Sequence, residues 1–176
     1  MKLIFILLVI VLCSTAALAR TNVPAPVQDQ RTVMDYLREG SAYYLKDDFK
    51  KAIGPYQKAL DLEKEKPTLD KTLWKVLIDN LGMSYGITGS LKKAKETFEY
   101  GISKDPDYPL FYYNMACTYG EMDDVDKAIE YLKLAFEKKD KMIAGEKMPD
   151  PSTDSSFERF LKNEKFIKAL KDINQK

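Results

Sequence analysis

The sequence has 176 residues, 45% of them hydrophobic, which is enough for one domain with its own core. Lys and Arg number 28 and Asp and Glu 27, so the chain lacks the one-signed charge that nucleic-acid binding requires. There is no histidine, which removes the most common general base and metal ligand and every Ser-His or Cys-His nucleophile.

The first nineteen residues have the pattern of a secretory signal peptide. Lys2 precedes an unbroken apolar run at 3–12, and the segment 17–19, Ala-Leu-Ala, is a small-x-small cleavage site. We therefore expect an exported protein, periplasmic or secreted, that begins at Arg20. Removal of the signal leaves 27 basic and 27 acidic residues and therefore no net charge. The segment 20–31 that follows is expected to be a flexible lead-in.

Two alternatives to a cleaved signal are less well supported. The apolar stretch 3–19 is shorter than the ~20 residues that a membrane-spanning helix needs, so no span is expected in the mature chain. Lipid attachment at Cys13 would anchor the protein, but Leu12 stands where a bacterial lipoprotein signal has a small residue.

Three segments of the chain, at 39–60, 81–102 and 115–136, share one register. The common columns are Gly40/Gly82/Ala116, Tyr43/Tyr85/Tyr119, Ala52/Ala94/Ala128, Tyr56/Phe98/Leu132 and Ala59/Gly101/Ala135. Each column repeats after 42 and then 34 residues. Every unit has two stretches of helical spacing joined by a short polar turn, in which Asp48, Ser90 or Asp124 can cap the second helix. Such hairpins bury a continuous core only by stacking.

This pattern, from residue 33 to 142, resembles the tetratricopeptide repeat (TPR), a 34-residue helix-turn-helix unit. The first copy departs from the family at Glu39, where a leucine like Leu81 is preferred. The resemblance implies an all-α, right-handed α-solenoid of three hairpins, and it implies a protein-interaction scaffold rather than an enzyme. The expected repeats within 32–142 are 33–66, 75–108 and 109–142.

The first repeat contains Gly54-Pro55, which elsewhere would indicate a turn. Here Ala52, Tyr56 and Ala59 keep the columns of a second helix across it. We therefore predict a kinked helix, whose packing must outweigh the ~3 kcal/mol that an interior proline costs.

Eight extra residues separate the first two copies. Asp70 is a plausible helix cap, and the leucines at 73, 77 and 81 recur every fourth residue, which predicts a longer first helix in the second repeat. Trp74 would lie on this extension. It either covers the apolar end of the first hairpin or offers an aromatic anchor to a partner.

Residues 143–176 are expected to form a loop and C-terminal capping helices. Pro149 and Pro151 indicate the loop, and apolar residues then return with helical spacing, backed by lysines at 162, 165, 168 and 171. The apolar set is Phe157, Phe160, Leu161, Phe166, Leu170 and Ile173. A solenoid needs such a polar-backed segment to close its last hairpin.

In TPR proteins the first helix of each hairpin lines a concave groove. The residues expected on that face here are Met34, Leu37, Ser41, Tyr44, Leu45, Val76, Asp79, Met83, Ile87, Leu110, Tyr113 and Cys117. An apolar surface of this kind usually marks a binding site, so we expect an exported adaptor that binds an apolar or aromatic peptide segment.

Two other functions remain open from the sequence. The groove could be structural, packing on a second copy or on the protein's own N-terminal segment. It could also bind a small molecule or glycan, with Tyr113, Asn80 and Asp79 as a weak sugar site.

Some TPR domains hold a partner's C-terminal carboxylate with a Lys/Asn/Arg clamp. Here only Asn80 matches, because Leu37 and Leu110 stand where lysines are needed.

No chemistry beyond binding is expected. Glycine-rich phosphate loops are absent, no metal site or cofactor is indicated, and Cys117 has no base near it in sequence. Cys117 can therefore also be interpreted as a buried structural thiol.

Overall fold

The computed structural model describes residues 31–174, which fold as an all-α solenoid with no strand in this range. The hairpins are α1 (Val33–Tyr44) with α2 (Phe49–Glu65), α3 (Lys71–Ile87) with α4 (Leu91–Lys104), and α5 (Pro109–Glu121) with α6 (Val125–Glu137). A C-terminal segment follows, with 3₁₀ helices at Lys139–Lys141 and Ser155–Phe160 and then α7 (Glu164–Asn174). The expected signal peptide and all of the expected lead-in except Arg31 lie outside the described residues. No helix in 31–174 is long and apolar enough to cross a membrane.

The three hairpin turns have the same backbone conformation. Each contains one residue in the left-handed region, at the same repeat position: Asp47 (φ 57°), Gly89 (φ 80°) and Asp123 (φ 60°). The next residue donates its N–H to the carbonyl five positions earlier, with distances of 3.0, 2.8 and 2.9 Å in the three turns. The repeat seen in the sequence is therefore a repeat of backbone geometry.

Three of the four expected helix caps form. Asp48 and Asp124 accept hydrogen bonds from the N–H groups three residues later, at 3.3 and 3.0 Å, and Asp70 does the same at 2.9 Å. The prediction is wrong at Ser90, whose side chain makes no capping bond. The ψ of Ser90, 54°, is close to the 61° of Asp48, so the difference lies in the side chain, which is shorter in serine than in aspartate.

Glycine lets the two helices of a hairpin meet closely. A Cβ on Gly40 would lie 2.5 Å from Cδ1 of Tyr56, and one on Gly82 would overlap the Phe98 ring. The ring that fills the space left by the small residue therefore comes from the second helix of the same hairpin. Tyr56 and Phe98 are both buried in the core.

The helix predicted through Gly54-Pro55 is confirmed. Helix α2 runs without interruption from Phe49 to Glu65 and includes Pro55. Ala52, Tyr56 and Ala59, the residues that carried the prediction, are completely buried. Their packing holds the helix across a residue that lacks the N–H donor.

The insertion lengthens both helices that flank it rather than α3 alone. Helices α2 and α3 have 17 residues each, against 12 in α1 and 13 in α5. The buried Glu63 side chain accepts the N–H groups of Thr68 and Leu69 at 2.8 and 3.2 Å, which closes the connection. Trp74 packs edge-on against Phe111 at 5.9 Å, so it covers the boundary between the second and third hairpins.

The C-terminal segment completes the core of the third hairpin. Phe157, Phe160, Phe166 and Ile173 are buried there, as expected. Leu161 was expected in the same set but is 38% exposed, because residues 155–160 form a 3₁₀ helix and the α-helix starts only at Glu164.

Candidate functional site

The twelve residues predicted on the groove face differ widely in exposure. Leu45 and Ile87 are exposed at 83% and 55%, and both lie at the ends of first helices. The partly buried members are Met34, Ser41, Tyr44, Val76, Asp79, Met83, Leu110 and Cys117. Leu37 and Tyr113 are buried, with exposures of 4% and 1%.

The expectation that Leu37 and Tyr113 line an open groove is therefore wrong. Leu37 belongs to the core shared by the first two hairpins, because α1 packs against α3 as well as against α2. Tyr113 is covered by the C-terminal segment, where its ring meets Phe157 edge-on at 6.1 Å. Its hydroxyl donates a 3.0 Å hydrogen bond to Asp154.

The C-terminal segment also contacts the residue that precedes α5 and the C-terminal end of α5. The Tyr108 hydroxyl donates to both carboxylate oxygens of Glu146, at 2.9 and 3.0 Å. The Ser156 carbonyl lies so close to α5 that a Cβ on Gly120 would come within 2.5 Å of it. The chain's own C-terminal segment thus covers the groove face of the third hairpin.

The first two hairpins meet through polar as well as apolar contacts. The Tyr44 hydroxyl donates to the sulfur of Met83 at 3.2 Å. The Asn80 amide donates to the Tyr56 hydroxyl at 3.0 Å, which in turn bonds to Ser41 at 3.2 Å. Asn80 is therefore engaged in the hairpin core and does not belong to the groove face.

Tyr113, Asn80 and Asp79 do not form an exposed sugar platform. Tyr113 is buried, and the Asn80 amide is bonded to Tyr56. Asp79 instead accepts a 2.6 Å hydrogen bond from the Asn114 amide.

Asp79 is a carboxylate held at the centre of the groove face. Burial raises the pKa of Asp79 to about 7, the nearby Glu146 carboxylate adds to the rise, and the bond from Asn114 partly opposes it. No lysine or arginine among residues 31–174 forms an ion pair with Asp79 or Glu146. Burial also raises the pKa of Tyr44 to about 12, and the Asp79 charge contributes.

A cleft of about 520 Å³ opens between the second hairpin on one side and α5 with the C-terminal segment on the other. We call it the α3–α5 cleft. Its lining residues are Gly82, Met83, Gly86, Ile87, Gly89, Leu91, Phe98, Asn114, Cys117, Thr118, Glu121, Asp154, Ser155 and Ser156. The volume lies in the range of sites that hold small ligands or a few residues of a peptide. Three members of the predicted groove face, Met83, Ile87 and Cys117, belong to it.

Most of the other lining residues were missed by sequence reasoning. Asn114 and Glu121 lie on the predicted first helix of the third repeat, but helical spacing alone does not distinguish them from other polar positions. Asp154 and Ser156 come from the C-terminal segment, whose path over α5 leaves no local pattern in the sequence.

Cys117 lies beside Asp154, with its sulfur 3.7 Å from a carboxylate oxygen. Burial first, and the Asp154 charge second, raise the pKa of the Cys117 thiol well above its ordinary value. The thiol therefore stays protonated at neutral pH and is a poor nucleophile.

A second, shallower cleft of about 570 Å³ lies at the insertion, beside Trp74 and Tyr100. Lys64 and Lys104 lie over the Tyr100 ring, at 4.5 and 5.9 Å from its centre. Trp74 is partly buried against Tyr100 and Phe111, so packing accounts for its position.

Comparison with known proteins supports the repeat assignment. A family model of the tetratricopeptide repeat matches residues 97–130, from α4 through α5 into α6. The crystal structure of MamA matches with a TM-score of 0.52 and 29% identity, covering 62% of this chain and 60% of that chain. This chain therefore spans less than two thirds of the length of that relative.

The crystal structure of PcrH from Pseudomonas aeruginosa matches with a TM-score of 0.55, covering 81% of this chain and 91% of that chain. At 15% identity this likeness concerns the fold alone. A search of curated proteins finds no match.

Proposed function

We propose that the chain, which matches the tetratricopeptide repeat over residues 97–130, is a non-catalytic adaptor that binds an apolar or aromatic peptide segment. TPR proteins generally bind protein partners. The proposed site is the α3–α5 cleft together with the exposed side chains of Leu45 and Ile87. The proposal involves no cofactor, no metal and no nucleic acid.

One observation carries this proposal. Leu45 and Ile87 are the most exposed large apolar side chains in residues 31–174, and Ile87 lies on the wall of the cleft. Met83 stands beside Ile87 in the same wall, and its flexible thioether can adapt to different side chains. Exposed apolar residues that border a cleft are typical of binding sites.

The test is selection of random dodecapeptides displayed on phage against the purified full chain. We expect apolar or aromatic sequences to be enriched. A synthetic copy of the strongest binder should then bind Ile87→Asp at least tenfold more weakly in fluorescence anisotropy. The matched control is Ile167→Asp, which changes an exposed isoleucine on α7 and should leave binding unaltered.

Two results would contradict the proposal. The first is that no peptide is enriched, and the second is that Ile87→Asp and the control bind equally well. Sedimentation velocity over a range of concentrations tests the structural alternative. If the protein self-associates and Ile87→Asp abolishes the association, a second copy occupies this surface and the adaptor proposal fails.

We also propose that the protein is exported and begins at Arg20. The proposal rests on the apolar run at 3–12 and the Ala-Leu-Ala site at 17–19. N-terminal sequencing of protein recovered from the exported fraction tests it. A start at a lipid-modified Cys13 would overturn the proposed start and would indicate membrane anchoring.

A further inference from the structure

The two walls of the α3–α5 cleft differ in chemistry. The wall from the second hairpin is apolar, with Met83, Ile87 and Leu91 around three glycines at 82, 86 and 89. The opposite wall comes from α5 and the C-terminal segment and is polar, with Glu121 and Asp154 as its charged members. An occupant that satisfies both walls must therefore be apolar on one side and polar on the other.

The charge of the polar wall has one sign. Two of the fourteen lining residues are carboxylates, and none is a lysine or arginine. Over the whole chain, by contrast, basic and acidic residues are nearly equal at 28 and 27. The cleft is therefore a local concentration of negative charge on a chain that is nearly neutral.

The cleft carboxylates have little cationic compensation. Asp154 accepts hydrogen bonds from the Tyr113 hydroxyl and the Ser156 N–H, which are neutral donors. Glu121 forms one ion pair, with Arg159 at 3.4 Å, and the two side chains are 42% and 46% exposed to solvent. Such an exposed pair contributes little free energy, so a cation from a bound peptide can compete for Glu121.

Another carboxylate, Asp79 on α3, lies next to the cleft. The Asn114 amide lines the cleft and donates to Asp79, which lies near Glu146. Neither carboxylate forms an ion pair with a basic residue in the described part of the chain. Above the pKa of Asp79, which is about 7, a cation bound in the cleft would therefore gain from these charges as well.

We infer that the peptide bound in the α3–α5 cleft carries a lysine or arginine beside its apolar side chain. This inference rests on the proposed function and specifies the partner's chemistry. The apolar side chain packs against Met83 and Ile87, and the cation faces Glu121 and Asp154. Successive side chains of an extended peptide point in opposite directions, so the basic and apolar residues are neighbours in the partner's sequence.

The same display selection tests this inference, because the enriched sequences can be scored for a basic residue next to an apolar one. The strongest binder is then synthesised with Lys, Gln or Glu at that position. We expect the Lys peptide to bind wild-type protein at least tenfold more tightly than the Glu peptide. Added salt should reduce this ratio, since screening weakens charge interactions.

Charge reversal in the cleft identifies the residue responsible. Glu121→Lys should abolish or invert the preference for the Lys peptide, whereas Arg159→Gln should strengthen it by removing the competing cation. The matched control is Glu137→Lys at the exposed end of α6, which changes the net charge equally and should leave the preference unaltered. The melting temperature of each variant verifies that it is folded.

The outcomes separate the two proposals. If apolar peptides are enriched without a basic preference, or if Glu121→Lys leaves the Lys/Glu ratio unchanged in a folded protein, this inference is overturned while the proposed function stands. If no peptide is enriched, the proposed function itself fails, and the inference fails with it.

Discussion

The hydroxyl of Tyr113 donates a 3.0 Å hydrogen bond to Asp154, a residue 41 positions later in the chain. This bond joins α5 to the C-terminal segment, and the Tyr113 ring packs edge-on against Phe157 beside it. The pair therefore holds the segment that covers the third hairpin and forms one wall of the α3–α5 cleft.

Tyr113→Ala should destabilise the protein strongly. It removes a buried ring, which costs about 3–5 kcal/mol in a packed core, and leaves Asp154 without its hydroxyl donor. Tyr113→Phe keeps the ring and should cost only about 1 kcal/mol. Urea unfolding measures both, with Tyr43→Phe as a control on a partly buried tyrosine. If Tyr113→Ala left the free energy of unfolding unchanged, the C-terminal segment would not cover Tyr113 in solution.

Asp79 should make stability depend on pH. Its pKa is about 7 in the folded protein, against 3.8 as the ordinary value, so between these pH values the folded state holds a proton that the unfolded state has lost. The free energy of unfolding should therefore fall as pH rises from about 4 to 7 and then level off. The groups facing Asp79 are Tyr44 on α1, Tyr108 just before α5, Asn114 on α5, and Glu146.

Asp79→Asn should remove this dependence, since an amide carries no charge. Above pH 7 the variant should be more stable than wild type, on the order of 1 kcal/mol or more, because each pKa unit corresponds to about 1.4 kcal/mol. Urea unfolding from pH 4 to 9 measures it, with Asp172→Asn on the exposed side of α7 as control. A variant that keeps the wild-type slope would show that Asp79 is ionised throughout this range.

Two glycine substitutions should have opposite effects. Gly54 lies inside α2, and a Cβ there would meet no atom within 4 Å apart from its chain neighbours and the helix backbone. A proline ring disfavours helical geometry for a preceding residue with a Cβ, so the substitution is made together with Pro55→Ala. In that background Gly54→Ala should stabilise the protein by about 0.5–1 kcal/mol. Gly40→Ala should destabilise it, because its Cβ would press into the Tyr56 ring. Thermal melting of the two variants side by side checks both signs. Destabilisation by Gly54→Ala in the Pro55→Ala background would argue against a continuous helix.

Pro55→Ala should leave stability unchanged or raise it. The substitution restores the N–H donor for the Lys51 carbonyl within α2 and needs no change in backbone geometry. Chemical denaturation measures the difference. A loss greater than ~1 kcal/mol would mean that the proline is required for the local conformation.

Cys117 should react slowly with iodoacetamide in the native protein. The thiolate is the reactive form, and burial with the Asp154 charge keeps the pKa of the thiol high. Mass spectrometry of the Cys117 peptide follows the labelling, so Cys13 does not interfere. Asp154→Asn should accelerate the reaction by lowering the thiol pKa and loosening the C-terminal segment. Fast labelling of the wild type at neutral pH would show that the segment opens readily.

The repeat architecture could be predicted from the sequence because its causes are local. Gly40 meets Tyr56, and Gly82 meets Phe98, within one hairpin and 16 residues apart. Each hairpin turn closes through hydrogen bonds that span only five residues. The turn bonds recur in all three copies and the glycine–ring contact in the first two. Such recurrence leaves columns in the sequence, so even the helix through Pro55 was predictable.

The exposure of the candidate site was decided only by the tertiary structure. Spacing places Leu37 and Tyr113 on a second apolar face of their helices, but it does not show whether another element covers that face. Helix α3 covers Leu37, and the C-terminal segment covers Tyr113 through Asp154 and Phe157. These partners are some 40 residues distant in sequence, and the C-terminal segment occurs only once, so the spacing within one repeat does not record them. Burial is a property of the assembled solenoid, whereas helical spacing is a property of each helix alone.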